Sequence, residues 1–285
     1  MRLTPIISAT TLGIGWTWDP GVVLGLALWA TIYGLGVVQA RRKSIRFAWT
    51  KVWCFAAGWL FLVLALVSPL HQLGDFLFSA HMAQHEILMA VAAPLLIAGR
   101  PDHVFLWLFI GRKQSLVAGP VHRSVLGKLY KFLMLPSVAW SLHALALLLW
   151  HVPFLFDATI SHESIHALQH LSFLGTAMLF WAALLYGHLG SDSYGAGIVY
   201  VFTTAVYTSI LGALLTFSAS PWYSVYASTT KLWGVTPLED QQIGGLIMWV
   251  PAGIVYIVVG LWLFANWIRE SDRRSSFPVE VRRAA

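Results

Sequence analysis

The chain has 285 residues, of which 58% are hydrophobic and 11% carry a charge. Soluble domains have roughly 25% charged residues, so the composition excludes that class and indicates a membrane protein. One cysteine, Cys54, excludes an intrachain disulfide framework and a C-x-x-C metal or redox motif. The net charge of +6 does not indicate nucleic acid binding, because the basic residues flank the apolar windows as orientation signals do.

Seven apolar windows are long enough to cross a bilayer, which takes about 20 residues per helix. They predict an all-α, polytopic seven-helix bundle that forms a single domain over residues 1–285. Residues 1–20 are expected to form an interfacial arm, and residues 268–285 a basic cytoplasmic tail. The predicted spans are, in chain order, 21–40, 52–70, 79–98, 133–151, 166–187, 196–217 and 244–267.

The loops predict how the bundle is oriented. All lysine and arginine residues except Arg2 and Lys231 lie after the first span, after the third span or in the tail. The positive-inside rule places these three regions in the cytoplasm. With seven spans, the N-terminus is then outside and the C-terminus inside.

The eleven histidines are distributed unevenly over this topology. His143 lies inside the fourth span, and three others, His103, His122 and His188, fall on the cytoplasmic side. The other seven fall at the outer ends of spans or in the outer loop between spans four and five: His71, His81, His85, His151, His162, His166 and His170. The outer end of the bundle is therefore the predicted functional region.

Spacing within this outer set indicates a metal site. His81 and His85 are four residues apart, and His162, His166 and His170 repeat that offset, so each set lies on one helix face. Imidazoles one turn apart can share an ion, since each nitrogen binds at about 2.0–2.1 Å. Copper and zinc both suit imidazole. His71 is more typical of an interfacial group, and His143 of a residue that forms an interhelical hydrogen bond.

Other residues contribute further expectations. Asp240, at the outer mouth of the last span, is either a metal ligand, a partner of a ligand imidazole, or a helix cap. Glu86 is either an acid/base group or a solvated carboxylate. Pro94 is expected to kink the third span, with a neighbouring helix satisfying the carbonyl that it frees.

Several segments together resemble the CtaG family of seven-span bacterial assembly factors for caa3-type cytochrome c oxidase. They are "SPLHQLGDFLFSAHMAQHEILMAVAAPLLIAGRP", "WHVPFLFDATISHESIHALQHLSFLGTAMLFW" and "DQQIGGLIMWVPAG", with a similar first span from Trp16. The resemblance implies a protein of the bacterial inner membrane that supplies copper to a haem-copper oxidase. It implies oxidase subunits and a copper-donor chaperone as partners. Its motifs match at His81, His85, His151, His162, His166, His170 and Asp240.

Three alternatives to copper delivery remain at this stage. The same histidines could hold zinc in an intramembrane hydrolase, with Asp240 or Glu86 as the base. They could bind haem through axial imidazoles, although a pair on one helix cannot occupy opposite axial positions. The protein could also be a scaffold that docks onto the oxidase without a metal.

Overall fold

The computed structural model describes residues 14–109, 124–187 and 194–275. Within these ranges the regular secondary structure is entirely helical. We number the α-helices in chain order; two short 3₁₀ helices, Ser224–Tyr226 and Thr230–Trp233, precede the last one. The helices are α1 Pro20–Arg42, α2 Trp49–Leu66, α3 Pro69–Leu73, α4 Phe78–Ala98, α5 Pro101–Phe109, α6 Val125–Leu133, α7 Pro136–Trp150, α8 Pro153–Ser161, α9 Glu163–Tyr186, α10 Tyr194–Thr216 and α11 Pro237–Ser275.

Six of these helices are long and apolar enough to cross a membrane: α1, α2, α4, α9, α10 and α11. The predicted fourth span corresponds to α6 and α7, which are bent by 72° relative to each other. The bend falls at Pro136, the first residue of α7, because proline cannot continue the hydrogen bonding of a preceding helix. The pair makes a seventh span if it is counted as one. The structure therefore confirms the all-helical membrane class and gives six or seven spans.

The structure describes part of the predicted arm and tail at the two ends of the chain. Residues 14–19 have no helix and bond back onto the bundle: the Gly15 amide donates to Gln72 Oε1 at 2.7 Å, and the Thr17 amide to the Val67 carbonyl at 2.8 Å. At the other end, α11 continues to Ser275, so the beginning of the predicted tail is helical. The remainder of the predicted arm and tail, residues 1–13 and 276–285, lies outside the described residues.

Helix α4 contains a π-helical segment, Ile87–Ala92, directly before Pro94. In a π-helix the amide of residue 94 would bond to the carbonyl of Met89, but proline has no N–H to donate. The Trp181 indole on α9 donates to that carbonyl instead, at 2.9 Å. A neighbouring helix thus satisfies the carbonyl that Pro94 leaves free, in the manner expected for a membrane helix.

Helix α11 lies between α4 and α10, and two adjacent glycines allow both close approaches. A Cβ atom at Gly244 would collide with the Phe78 ring of α4. A Cβ atom at Gly245 would lie 2.8 Å from the Gly212 carbonyl of α10. Because α11 contacts α4 at its first turn, it helps to fix the position of the helix that carries His81 and His85.

Candidate metal centre

Five imidazole rings from three helices meet at the end of the bundle where α4 and α9 begin. Seven pairs of these rings have centroids between 4.3 and 6.3 Å apart. We call this set the histidine cluster; its members are His71 of α3, His81 and His85 of α4, and His166 and His170 of α9. Both pairs with four-residue spacing therefore face one another across the interface of α4 and α9.

Three members of the cluster lie close enough together that they could hold one metal ion. One ring nitrogen from each of His71, His166 and His170 lies within 4.8 Å of the other two. In the part of the chain that the structure describes, no other set of three histidine, cysteine, aspartate or glutamate side chains meets that spacing. Burial lowers the pKa of His71, which favours the neutral imidazole that metal binding requires, and the nearby Asp75 carboxylate acts in the opposite direction.

The cluster is buried and its hydrogen bonding is incomplete. His81 is 0% exposed and His85 is 2% exposed. Buried ring nitrogens without a hydrogen-bond partner are His81 Nδ1, His85 Nδ1, His85 Nε2, His166 Nε2 and His170 Nε2. Unpaired polar atoms inside a membrane protein are costly, so an ion or a water molecule bound at these nitrogens would stabilise the site. An all-imidazole donor set fits copper or zinc.

Two buried glutamines position the imidazoles. The Gln84 amide nitrogen donates to the Ala65 carbonyl at 2.7 Å and approaches His71 Nδ1 at 2.9 Å. Since a carbonyl oxygen only accepts, the Gln84 amide has one orientation, and His71 Nδ1 accepts its second N–H. On α9, Gln169 Oε1 lies 3.2 Å from His81 Nε2; with the amide in this orientation His81 Nε2 donates to Gln169 Oε1, and His81 Nδ1 has no hydrogen-bond partner.

Two of the predicted ligands lie apart from these ring contacts. His151 is buried at the end of α7; its Nδ1 donates to the Leu147 carbonyl at 2.7 Å, and its Nε2 is unpaired. Its ring contacts Phe173, with centroids 6.5 Å apart. His162 is exposed and has extended backbone, with φ −139°, immediately before α9 begins. The His162 side chain therefore does not lie one helical turn from that of His166, and the structure does not bring His162 into the cluster.

Asp240 supports the site without joining the set of three. It is 1% exposed, and one of its oxygens accepts the Phe78 amide at 2.6 Å. The other oxygen accepts the Ser79 amide at 3.2 Å and the Ser79 hydroxyl. A carboxylate of α11 thus caps the N-terminus of α4, where its charge also complements the helix dipole.

The remaining histidines have other surroundings. The His143 ring on α7 lies 3.2 Å from the Thr176 hydroxyl on α9, which gives the expected interhelical hydrogen bond. His103 lies beside Arg100 and Asp102 at the start of α5. The predicted cytoplasmic histidines His122 and His188 lie outside the described residues.

Sequence reasoning missed His71 as a cluster member, and with it both glutamines. The sequence signal for His71 was its position on the outer side, because no other histidine lies three or four residues from it along the chain. Gln84 and Gln169 each precede a cluster histidine by one residue, and each is 0% exposed. A glutamine directly before a candidate ligand histidine is a sequence pattern that could have identified them.

The chain is similar to known proteins over most of its length. The family model described as cytochrome c oxidase caa3 assembly factor (Caa3_CtaG) matches residues 31–270. An uncharacterised protein of Mycobacterium leprae is 26% identical over 262 residues, which is 88% of this chain and 38% of that protein. Uncharacterised proteins of Mycobacterium bovis and Mycobacterium tuberculosis are 25% identical over 278 residues, 90% of this chain and 39% of theirs.

The chain thus spans about two fifths of the length of the curated relatives that it matches. No solved structure matches it significantly.

Proposed function

The chain belongs to the cytochrome c oxidase caa3 assembly factor family, and we propose that it takes part in oxidase assembly by binding copper at the histidine cluster and passing it to the oxidase. In this proposal copper is the ion that the protein carries and transfers, and not a resident cofactor. The proposal places the protein in the bacterial inner membrane, with seven spans and the cluster near the outer face. Oxidase subunits and a copper-donor chaperone are the proposed partners.

The observation that carries the proposal is the set of unpaired imidazole nitrogens enclosed by α3, α4 and α9. Five histidines in contact would be an expensive way to fill a membrane core, because His81, His85, His166 and His170 each have a buried ring nitrogen without a hydrogen-bond partner. A bound ion satisfies several of these lone pairs at once. The spacing of His71, His166 and His170 suits such an ion.

Two observations favour copper cargo over zinc hydrolysis. The first is the family, which is described as an assembly factor of an oxidase. The second is Asp240, one of the two carboxylates considered as a base: both of its oxygens accept hydrogen bonds from the first turn of α4. A hydrolase needs a base free to take a proton from a metal-bound water. Asp240 is instead engaged in holding α4.

The test measures copper on the purified protein. The chain is loaded with Cu(I) in detergent without oxygen, washed with a competing chelator, and analysed by plasma mass spectrometry. The altered variant carries glutamine at His81, His85, His166 and His170, which keeps polar side chains of similar length. We expect its copper affinity to fall by at least about 100-fold, since ligands and not only their supporting groups are removed.

His162→Gln is the matched control, because His162 is exposed and only four residues from His166. It should bind copper as the unaltered chain does. Circular dichroism and gel filtration verify that both variants remain folded. Copper-free wild-type protein after loading, or equal copper on the fourfold variant, would refute the proposal. In cells lacking their own copy, the fourfold variant should also fail to restore the copper content of the oxidase.

A further inference from the structure

We propose that the histidine cluster holds two copper ions in neighbouring positions, one bound by His71, His166 and His170 and the other by His81 and His85. This inference rests on the proposed function, because it takes copper as the ion. It adds the number of ions and the division of the ligands between them. We call the first position the three-histidine seat and the second the two-histidine seat.

The spacing of the nitrogens separates the two seats. Nitrogens bound to one tetrahedral ion at about 2.0–2.1 Å lie roughly 3.4 Å from each other. The three nitrogens of the three-histidine seat lie within 4.8 Å of one another, which small side-chain rotations can close. Neither His81 nor His85 forms a set of three at that spacing among the described residues. In this arrangement, an ion at the three-histidine seat would not also be bound by His81 or His85 of α4.

The unpaired atoms give an independent argument for a second ion. An ion at the three-histidine seat would bind one nitrogen each of His166 and His170, whose Nε2 atoms are unpaired. Three buried nitrogens of α4 would still have no partner: His81 Nδ1, His85 Nδ1 and His85 Nε2. Five imidazoles also exceed the four positions of a tetrahedral ion. A second ion on His81 Nδ1 and one nitrogen of His85 removes two of the three unpaired atoms.

The two seats are adjacent, which has a consequence for affinity. The His81 and His85 ring centroids are 4.3 Å apart, and the His85 ring is 5.3 Å from that of His170. Two cations held so close together in a medium of low dielectric constant repel each other. The two-histidine seat also supplies fewer ligands, so its ion is held more weakly and has room for a ligand from an acceptor protein. It is the seat from which copper leaves more readily.

The experiment is anaerobic titration of the full-length protein in lipid nanodiscs with Cu(I), using a competing chromophoric chelator to count the ions and measure both affinities. The variants are His166→Gln/His170→Gln and His81→Gln/His85→Gln, with His162→Gln as the control. We expect about two equivalents on the wild type and on the control, and about one on each double variant. The second ion should bind the wild type about 10- to 100-fold more weakly than the first.

Each outcome separates this inference from the function on which it rests. A wild type that binds a single ion, lost in both double variants, overturns the two-seat division and leaves copper binding intact. Two equivalents retained by the His81→Gln/His85→Gln variant also overturn it, because the second ion then lies elsewhere. A wild type that binds no copper overturns the proposed function itself. Gel filtration and thermal melting of every variant distinguish ligand loss from unfolding.

Discussion

At the scale of single residues, the contact between Gln84 and His71 would oppose the proposed metal binding. The Gln84 N–H occupies the Nδ1 lone pair of His71, which leaves the proton of the neutral ring on Nε2. If Nδ1 is the ligand, the Gln84 hydrogen bond must break first. If Nε2 is the ligand, its proton must be lost or moved to Nδ1, which again displaces Gln84. Gln84 therefore orders His71 in the absence of an ion and must release it when the ion binds.

Replacing Gln84 with methionine tests this interpretation, since methionine has a similar volume and no donor. We expect the affinity of the three-histidine seat for Cu(I) to rise by about 2- to 10-fold, the equivalent of one neutral hydrogen bond. We also expect the variant to be less stable by about 1–3 kcal/mol, because the buried Ala65 carbonyl loses its donor. Chelator competition measures the first effect and thermal melting the second. A weaker affinity would mean that Gln84 acts only by positioning His71.

At the scale of elements, α4 is held by other helices at its first turn and near its middle. Asp240 of α11 caps its first turn, and Trp181 of α9 bonds to its π-helical segment. Between these two anchors lie His81 and His85, whose rings must meet those of α9 within a few ångströms. Three features therefore fix the position and rotation of α4: the cap, the π-helical segment and the glycines of α11. They thereby determine where His81 and His85 lie in the site.

The replacement of Asp240 by alanine should weaken both stability and copper binding. It removes the acceptors of the Phe78 and Ser79 amides, and we expect a loss of about 1–3 kcal/mol in the free energy of unfolding. The control is Glu239→Ala: Glu239 is exposed and accepts only from Thr236 of its own helix start. Thermal melting and copper titration of both variants check the prediction. Equal behaviour of the two variants would show that the buried cap does not support the site.

At the scale of the whole molecule, the arrangement of charge predicts which side of the membrane the cluster faces. Basic residues follow α1 and surround α5 and α6, whereas the cluster lies at the opposite ends of the helices. The positive-inside rule therefore predicts that the cluster faces outward. An outward site is where a copper centre on the outer side of an oxidase would receive its ion.

Cysteine labelling can test this orientation, because Cys54 is the only cysteine in the chain. In a Cys54→Ser background, Ser164→Cys places a thiol on the exposed first turn of α9, and Ser44→Cys places one in the exposed turn after α1. We expect a membrane-impermeant maleimide to label the first variant in intact cells and the second only after lysis. The reverse pattern would contradict the predicted topology.

The sequence by itself determined the membrane class, the approximate helices and most of the histidines of the site. It could do so because apolar length, helical spacing and loop charge are local properties that a single chain displays directly. The described part of the bundle retains the pairs His81 with His85 and His166 with His170 as neighbours, with ring centroids 4.3 Å apart in each pair, as four-residue spacing predicts.

Tertiary structure alone decided which rings meet. His71 joins the cluster because α3 turns back over α4 and α9, and His162 is left out because α9 begins one residue too late to include it. Asp240 became the cap of another helix because α11 packs against the start of α4. These outcomes depend on how separate helices pack against one another, and helix periodicity carries no information about which faces are brought into contact.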